Sequence, residues 1–408
     1  MIHHSARATL PAETDILVVG GGITGLATAL FLAREDARVV CVDGGLDAGS
    51  AANAGSLHVQ MQSRLLREFP DLGAAVEREL PVYVRAVAAW HRLSAELADD
   101  VGMVVGGGLM VAEDDRQLGF LADKAARERA QGIEMEIWER GRIEREAPYL
   151  SGAVAGAAFC PLEGKVDPLL ASRAIMRAAR AAGAAIFGAT HVESMRLDAG
   201  GTLAVTSRGD IRCGRVVIAA GAGTTALAAG LGLAVPVEAE PLQVSITEPA
   251  GPLVRHLVQH ADRPITMKQL AAGQVVIGGG WPARPRRGAM PPAVIAANLV
   301  GNLGLARHIV PAVGTLRLLR SWAGVNPLSD GRSIVGEHLR RPGVTFAVPG
   351  DAGYTLGPLV AGLAAACVLG RPPPLPIDRY RPDRFEGAAE VTSEARTRCA
   401  PPSAPAPE

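Results

Sequence analysis

Gly20, Gly22 and Gly25 stand in the spacing G-x-G-x-x-G, where a short apolar run gives way to a helical pattern. Without Cβ atoms the backbone can turn tightly there and approach a pyrophosphate. The phosphate charge then rests on the helix N-terminus, opened here by Ile23 and Thr24. Asp43 ends the next apolar run, 18 residues beyond Gly25. That is the place of an acid that accepts hydrogen bonds from an adenosine ribose. Ala29, four residues after Gly25, is small enough for the helix to lie close on a sheet. These residues predict a dinucleotide site, and by themselves they do not separate NAD from FAD.

Past the acid, Gly44 leads toward Gly49-Ser50-Ala51-Ala52-Asn53-Ala54-Gly55-Ser56. The stretch is small and uncharged, and it can run in contact along an extended cofactor from pyrophosphate to ring. His58 and Gln60 follow at alternating positions. On a strand they would face the same side, either meeting substrate or serving as paired polar groups at a domain seam. Lys268, within Ile265-Thr266-Met267-Lys268-Gln269, offers a cation for a carboxylate or a reduced-oxygen species; the alternative is a solvated lysine at a strand end. His256 and His260 have the i,i+4 spacing of two zinc ligands on a helix face, but no third ligand is in view and no metal is expected. His3 and His4 belong to a loose N-terminus, and the Arg/Glu-rich segment from Trp138 to Glu146 reads as a solvated helix face or an interdomain surface.

The elements that must position these groups follow from apolar periodicity. Residues 15–19 and 38–42 read as strands flanking a helix over 23–34, a β-α-β unit of a parallel sheet. Further helices are expected over 81–97, 168–182, 293–310 and 358–369, the first with proline in its opening turn. Strand signals lie at 104–112, softened by Gly106-Gly107-Gly108, and at 184–187, 203–207, 216–220, 245–247 and 274–277. The fold class is α/β, and no internal repeat is present.

Composition narrows the function classes. The 408 residues carry 41 basic and 41 acidic side chains, so no electrostatic footprint for nucleic acid or an anionic membrane is visible. Only Lys124, Lys165 and Lys268 are lysines; the other basic residues are arginine. Cys41, Cys160, Cys213, Cys367 and Cys399 form no CxxC pair, which points to a reducing compartment, the cytoplasm. The N-terminus has no apolar signal region. Two uncharged runs, of 22 residues (216–237) and 19 residues (352–370), are long enough for membrane spans. Their glycines and prolines read instead as buried strand, glycine loop and buried helix.

Three later motifs decide the cofactor: Arg215-Val216-Val217-Ile218-Ala219-Ala220-Gly221-Ala222-Gly223, Arg320-Ser321-Trp322-Ala323-Gly324-Val325-Asn326-Pro327, and Gly350-Asp351-Ala352-Gly353-Tyr354-Thr355-Leu356-Gly357-Pro358. With the glycine loop, in this order, the chain resembles the D-amino-acid oxidase superfamily of FAD-dependent amine oxidoreductases. The wording is most similar to the flavin subunits of opine oxidase, hydrogen cyanide synthase and D-hydroxyproline dehydrogenase. The resemblance implies that Ala220, Gly221, Trp322, Gly324, Gly350, Asp351 and the segment Gly353 to Leu356 attend the flavin, that Val192 meets the adenine, and that the helix begun at Pro358 points its N-terminus at the pyrimidine edge. With it, Lys268, Asn326 and Tyr354 join His58 as the candidate active-site residues. Where similar oxidases have G-x-R-P, with arginine on the substrate carboxylate, this chain has Gly324-Val325-Asn326-Pro327. No cysteine lies near 316–322, so FAD is expected to be held non-covalently.

The resemblance implies a discontinuous Rossmann-like FAD-binding domain over 14–98, 150–236 and 325–385. A second α+β domain over 99–149 and 237–324 would roof the flavin with an antiparallel sheet, and residues 1–13 and 386–408 would be disordered tails. The implied reaction oxidises the C–N bond of an amino acid or N-substituted amino acid, opine-like or D-proline-like, by hydride transfer to flavin N5 and imine hydrolysis. Two alternatives stand: a self-contained glycine or D-amino-acid oxidase using oxygen, and a flavin subunit passing electrons to a second subunit or redox partner. An NAD-dependent dehydrogenase would leave the late glycine motifs without a role.

Overall fold

The computed structural model describes residues 9–45, 49–63, 66, 70–286 and 290–386. His3, His4 and Cys399 lie outside these residues, as do 1–8 and 387–408 of the two expected tails; Glu13 already belongs to the first strand.

Two sheets organise the chain, and the strand β1 (Glu13–Val19), the helix α1 (Ile23–Ala33) and the strand β2 (Val39–Val42) found the first of them. β1 pairs in parallel with β2 on one side and with Gly209–Ile218 on the other. Val344–Val348 and Ala185–Phe187 extend the parallel order outward. Residues 16–19 and 39–42 are buried throughout, as strands covered by helices on both faces must be. α1 is buried on nearly every side and packs against the helices Pro168–Ala181 and Gly353–Val368.

The second sheet runs in the order Leu318–Leu328, Glu238–Pro249, Gln274–Gly278, Thr266–Gln269, Leu257–His260, Gly108–Ala112, Gly156–Cys160, Glu136–Glu139. It is antiparallel except where Leu257–His260 meets Gly108–Ala112. Gly156–Cys160 thus stands in the second sheet, although the sequence boundary grouped 150–236 with the first.

Several local expectations are corrected. The last helix begins at Gly353, and Pro358 lies inside it. Proline cannot donate to the carbonyl four residues back, and the freed Tyr354 carbonyl accepts from Trp90 Nε1 at 2.8 Å instead. The helix N-terminus is therefore the Gly353 turn. Asp115–Ala130 is a helix with no counterpart in the sequence reading. Its inward face carries Gln117, Lys124 and Glu128 beside Leu121 and Ala125, so buried charge masks the apolar period. Trp138 is not on a solvated face; it is buried in the second sheet. His256 and His260 lie beside and in the strand Leu257–His260, not on a helix.

Candidate active site

A cavity of about 1290 Å³ runs between the two sheets, larger than the ~300–1,000 Å³ of ordinary small-molecule pockets. Gly20, Gly22, Ile23 and Thr24 line one end. Gly20 has φ +113°, and a Cβ there would lie 2.3 Å from the Ala219 carbonyl oxygen. A Cβ on Gly25 would lie 1.8 Å from the Gly20 carbonyl oxygen, so Gly25 shapes the turn from beneath without lining the cavity. Ile23 N–H donates to Ser50 Oγ at 2.9 Å, which ties the small-residue stretch to the helix start.

Asp43, Gly44 and Val192 continue the wall, followed by Ala220 and Gly221. Val192 opens Val192–Asp198, the second strand after the helix Pro168–Ala181. From Ser50 the lining passes Asn53, Ala54 and Ser56 and meets Gly324, Gly350, Asp351 and the Gly353 to Leu356 turn. Amides at a helix start, one carboxylate beyond the next strand and a long run of small uncharged residues form a donor set that fits FAD. Ala51, Gly55 and Trp322 do not line the cavity. Gly55 packs on the Val166 carbonyl, and Trp322 Nε1 donates to the Ala52 carbonyl at 2.9 Å, bracing the stretch from behind.

Asp43→Ala should weaken FAD binding while leaving the apo fold intact. Losing hydrogen bonds to a charged acceptor costs roughly 1.5–3 kcal/mol, about ten- to a hundredfold in Kd. Titration of apoprotein with FAD reads this, and an unchanged Kd would show that Asp43 does not touch the cofactor.

His58 and Gln60 reach the cavity on a strip that is not a strand beyond Leu57. Side chains, not a neighbouring strand, take its backbone donors. His58 N–H donates to Thr355 Oγ1 at 3.0 Å. Val59 and Gln60 N–H donate to Glu163 Oε1 at 2.8 and 2.9 Å, and Met61 N–H donates to Glu128 Oε1 at 2.7 Å. Gln60 Nε2 and Gln259 Nε2 donate to Glu163 Oε2 at 2.9 and 3.0 Å. Lys124 Nζ bridges Gln60 Oε1 at 3.2 Å and Glu128 at 2.7 Å. Gln60 is thus a satisfied member of a buried network, while His58 Nδ1 has no hydrogen-bond partner among the described residues and lies 3.9 Å from Glu163.

Burial, and then the charge of Lys268, holds His58 down to about 3, so near neutrality its ring is uncharged and can exchange hydrogen bonds with a ligand but cannot pair ionically. Lys268 is fully buried, not solvated at a strand end. Its ammonium donates to Ser56 Oγ at 2.5 Å and does not line the cavity, of which Ser56 is the wall. Burial, with Lys165 second, brings Lys268 to about 7.

Asn326 lines the cavity on the strand Leu318–Leu328, opposite Glu240. Its Nδ2 donates to Asp351 Oδ1 at 2.6 Å and to Glu240 Oε2 at 3.2 Å, so its amide serves two carboxylates. The Tyr354 hydroxyl donates to the Pro168 carbonyl at 3.1 Å, and its ring stacks on Trp90 at 5.7 Å. That phenol faces the core. His256 pairs with Tyr149 and His260 with Glu113, so the two histidines share no ligand position. His338, Asp383 and Glu386 come near one another, but the two carboxylates meet different ring nitrogens. Sequence reasoning missed Glu163, Glu128, Lys124 and Gln259. One signal was available: all three lysines of an arginine-rich chain are buried here.

The family model described as FAD dependent oxidoreductase (DAO) matches residues 15–367. Glycine oxidase of Geobacillus kaustophilus (strain HTA426) is 27% identical over 362 residues, covering 87% of this chain and 92% of that one. An opine oxidase subunit of Agrobacterium tumefaciens (strain Ach5) is 27% identical over 360 residues, covering 84% and 90%. The crystal structure of glycine oxidase from Geobacillus kaustophilus matches with a TM-score of 0.79 at 26% identity, over 91% of this chain and 98% of that one.

Proposed function

This chain belongs to the DAO family of FAD dependent oxidoreductases, and from that premise we propose that it oxidises the C–N bond of an N-substituted amino acid, an opine-like or D-proline-like secondary amine. It is an FAD-dependent amine or amino-acid oxidoreductase. The observation that carries the finer reading is Asn326: where similar oxidases place an arginine, an amide already given to Asp351 and Glu240 stands in the cavity wall. A minimal amino acid such as glycine has nothing else to offer there. Kinship with an opine oxidase subunit supports the larger substrate.

Bound FAD would supply the acceptor for the hydride, with its two electrons, that leaves the carbon bearing the amine. The residues of the chain bind and orient. Thr355 Oγ1 accepts from His58 N–H and donates to the Ser56 carbonyl, fixing the strip against the helix start. The uncharged His58 ring can hold an amine N–H in place without removing its proton. A substrate entering as the free amine needs no strong base, so orientation does most of the work. The C=N product hydrolyses to a carbonyl compound and an amine.

Anaerobic bleaching of the bound flavin against a panel of amines tests this. N-carboxyalkyl or cyclic secondary amino acids should reduce it roughly ten- to a hundredfold faster than glycine, the worth of one charge-assisted hydrogen bond. Glycine or D-alanine reducing it as fast overturns the substrate class, and steady peroxide production from glycine would favour the self-contained oxidase. A second subunit is the further reading, supported by relatives named as subunits of opine and sarcosine oxidases, and co-purification tests it.

FAD should be held without a covalent bond. Acid precipitation is expected to leave a colourless pellet under a yellow supernatant; flavin retained in the pellet would contradict this. Among the described residues no helix is long and apolar enough to cross a membrane. Cys41, Cys160, Cys213 and Cys367 are all free thiols, which supports placing the protein in the cytoplasm.

A further inference from the structure

Arg263, Arg286 and Arg332 line the cavity. Arg263 is paired with Glu113 and lies 3.1 Å from His260 Nε2. Arg332 is paired with Asp330 and donates to the Arg379 carbonyl. Arg286 is exposed and makes no hydrogen bond or ion pair among the described residues. The other cationic candidates are withdrawn or neutral: Lys268 stands behind Ser56, and His58 is held uncharged.

The backbone fixes where Arg286 stands. Arg284 and Ala293 exchange both of their backbone hydrogen bonds, each 2.8 Å long. Just before them Pro282 bridges Leu242, and just after them Ile295 N–H donates to Gln243 Oε1 at 2.9 Å. Pro285 precedes the arginine, with its φ confined by the ring. The guanidinium is therefore presented to the cavity from a segment rooted on the second sheet. A planar fork of donors with no internal acceptor matches a carboxylate in two parallel hydrogen bonds, and an ammonium replaces its charge but not its geometry.

We propose that Arg286 is a carboxylate anchor of this site that takes the outer carboxylate of an N-substituted amino acid, a group that glycine does not carry. The proposal rests on the reading of the chain as an amino-acid oxidoreductase.

The test uses unreactive carboxylates, so that it does not depend on turnover. The oxidised holoprotein is titrated with acetate and benzoate, followed by perturbation of the flavin absorbance, with acetamide and benzamide as uncharged controls. Arg286→Gln should raise the carboxylate Kd roughly ten- to a hundredfold, Arg286→Lys should recover part of it, and the amides should be indifferent to both. Arg286 is exposed and contacts no described partner, so the variants fold. An unchanged carboxylate Kd in Arg286→Gln overturns the anchor, as does a wild-type protein that shows no carboxylate-dependent perturbation. Carboxylate binding that depends on Arg286, in a protein whose flavin no member of the amine panel bleaches, would retire the C–N oxidation reading and keep the anchor.

Discussion

Glu163→Leu should destabilise the folded protein by about 4 kcal/mol or more and loosen the strip that carries His58. The carboxylate is fully buried and accepts four hydrogen bonds, from Val59 N–H, Gln60 N–H, Gln60 Nε2 and Gln259 Nε2. Leucine fills similar space and accepts none. Each buried donor left without a partner costs roughly 1–3 kcal/mol, and water has little room to replace the acceptor, because a Cβ on Gly108 would already lie 1.9 Å from Glu163 Oε2. Burial pushes the Glu163 pKa up while those same hydrogen bonds pull it down. Urea unfolding of the two proteins reads the difference. Equal midpoints and slopes would mean that the strip is held by something other than this carboxylate.

Lys268→Met should flatten the pH dependence of stability between pH 7 and 10.5. Burial, then Lys165, lowers Lys268 from 10.5 to about 7 in the folded protein. Between those values the unfolded chain binds more protons than the folded one, so wild-type stability rises with pH across the window. Below it the ammonium is charged in both states and the full burial cost is present. Above it both states are neutral and the cost is gone. The whole increment is on the order of 5 kcal/mol. Methionine fills similar space and cannot titrate, so the variant should gain most on the wild type at pH 6.5 and least near pH 10. Parallel stability curves for the two proteins would show that Lys268 carries no shifted proton. The lost contact to Ser56 Oγ is common to every pH and cannot mimic the slope.

The glycine-loop end of the cavity was legible in the sequence because its geometry is backbone geometry. A turn that excludes Cβ atoms must be glycine, so Gly20 and Gly25 are written into the chain as a local pattern, and Asp43 follows at a distance set by one helix and one strand. The parallel β-α-β start and the helix boundaries near 80 and 168 follow from periodicity and punctuation in the same way, whereas the antiparallel roof was implied only by the family resemblance.

Only the tertiary structure decided which polar side chains are free to act. His58 and Gln60 looked alike at alternating positions, yet Gln60 is saturated by Glu163 and Lys124, while His58 Nδ1 is left without a partner among the described residues. Tyr354 sits in the flavin-side motif, but the freed carbonyl before Pro358 and the stack on Trp90 turn its phenol into the core. Lys268 and Asn326 were marked by residue type, but their placement depends on Ser56, Asp351 and Glu240, residues 212, 25 and 86 positions away. A backbone constraint repeats wherever the local geometry repeats, so the sequence alone carries it. Whether a side chain is available depends on partners brought from distant elements, and those are set when the two sheets close on each other.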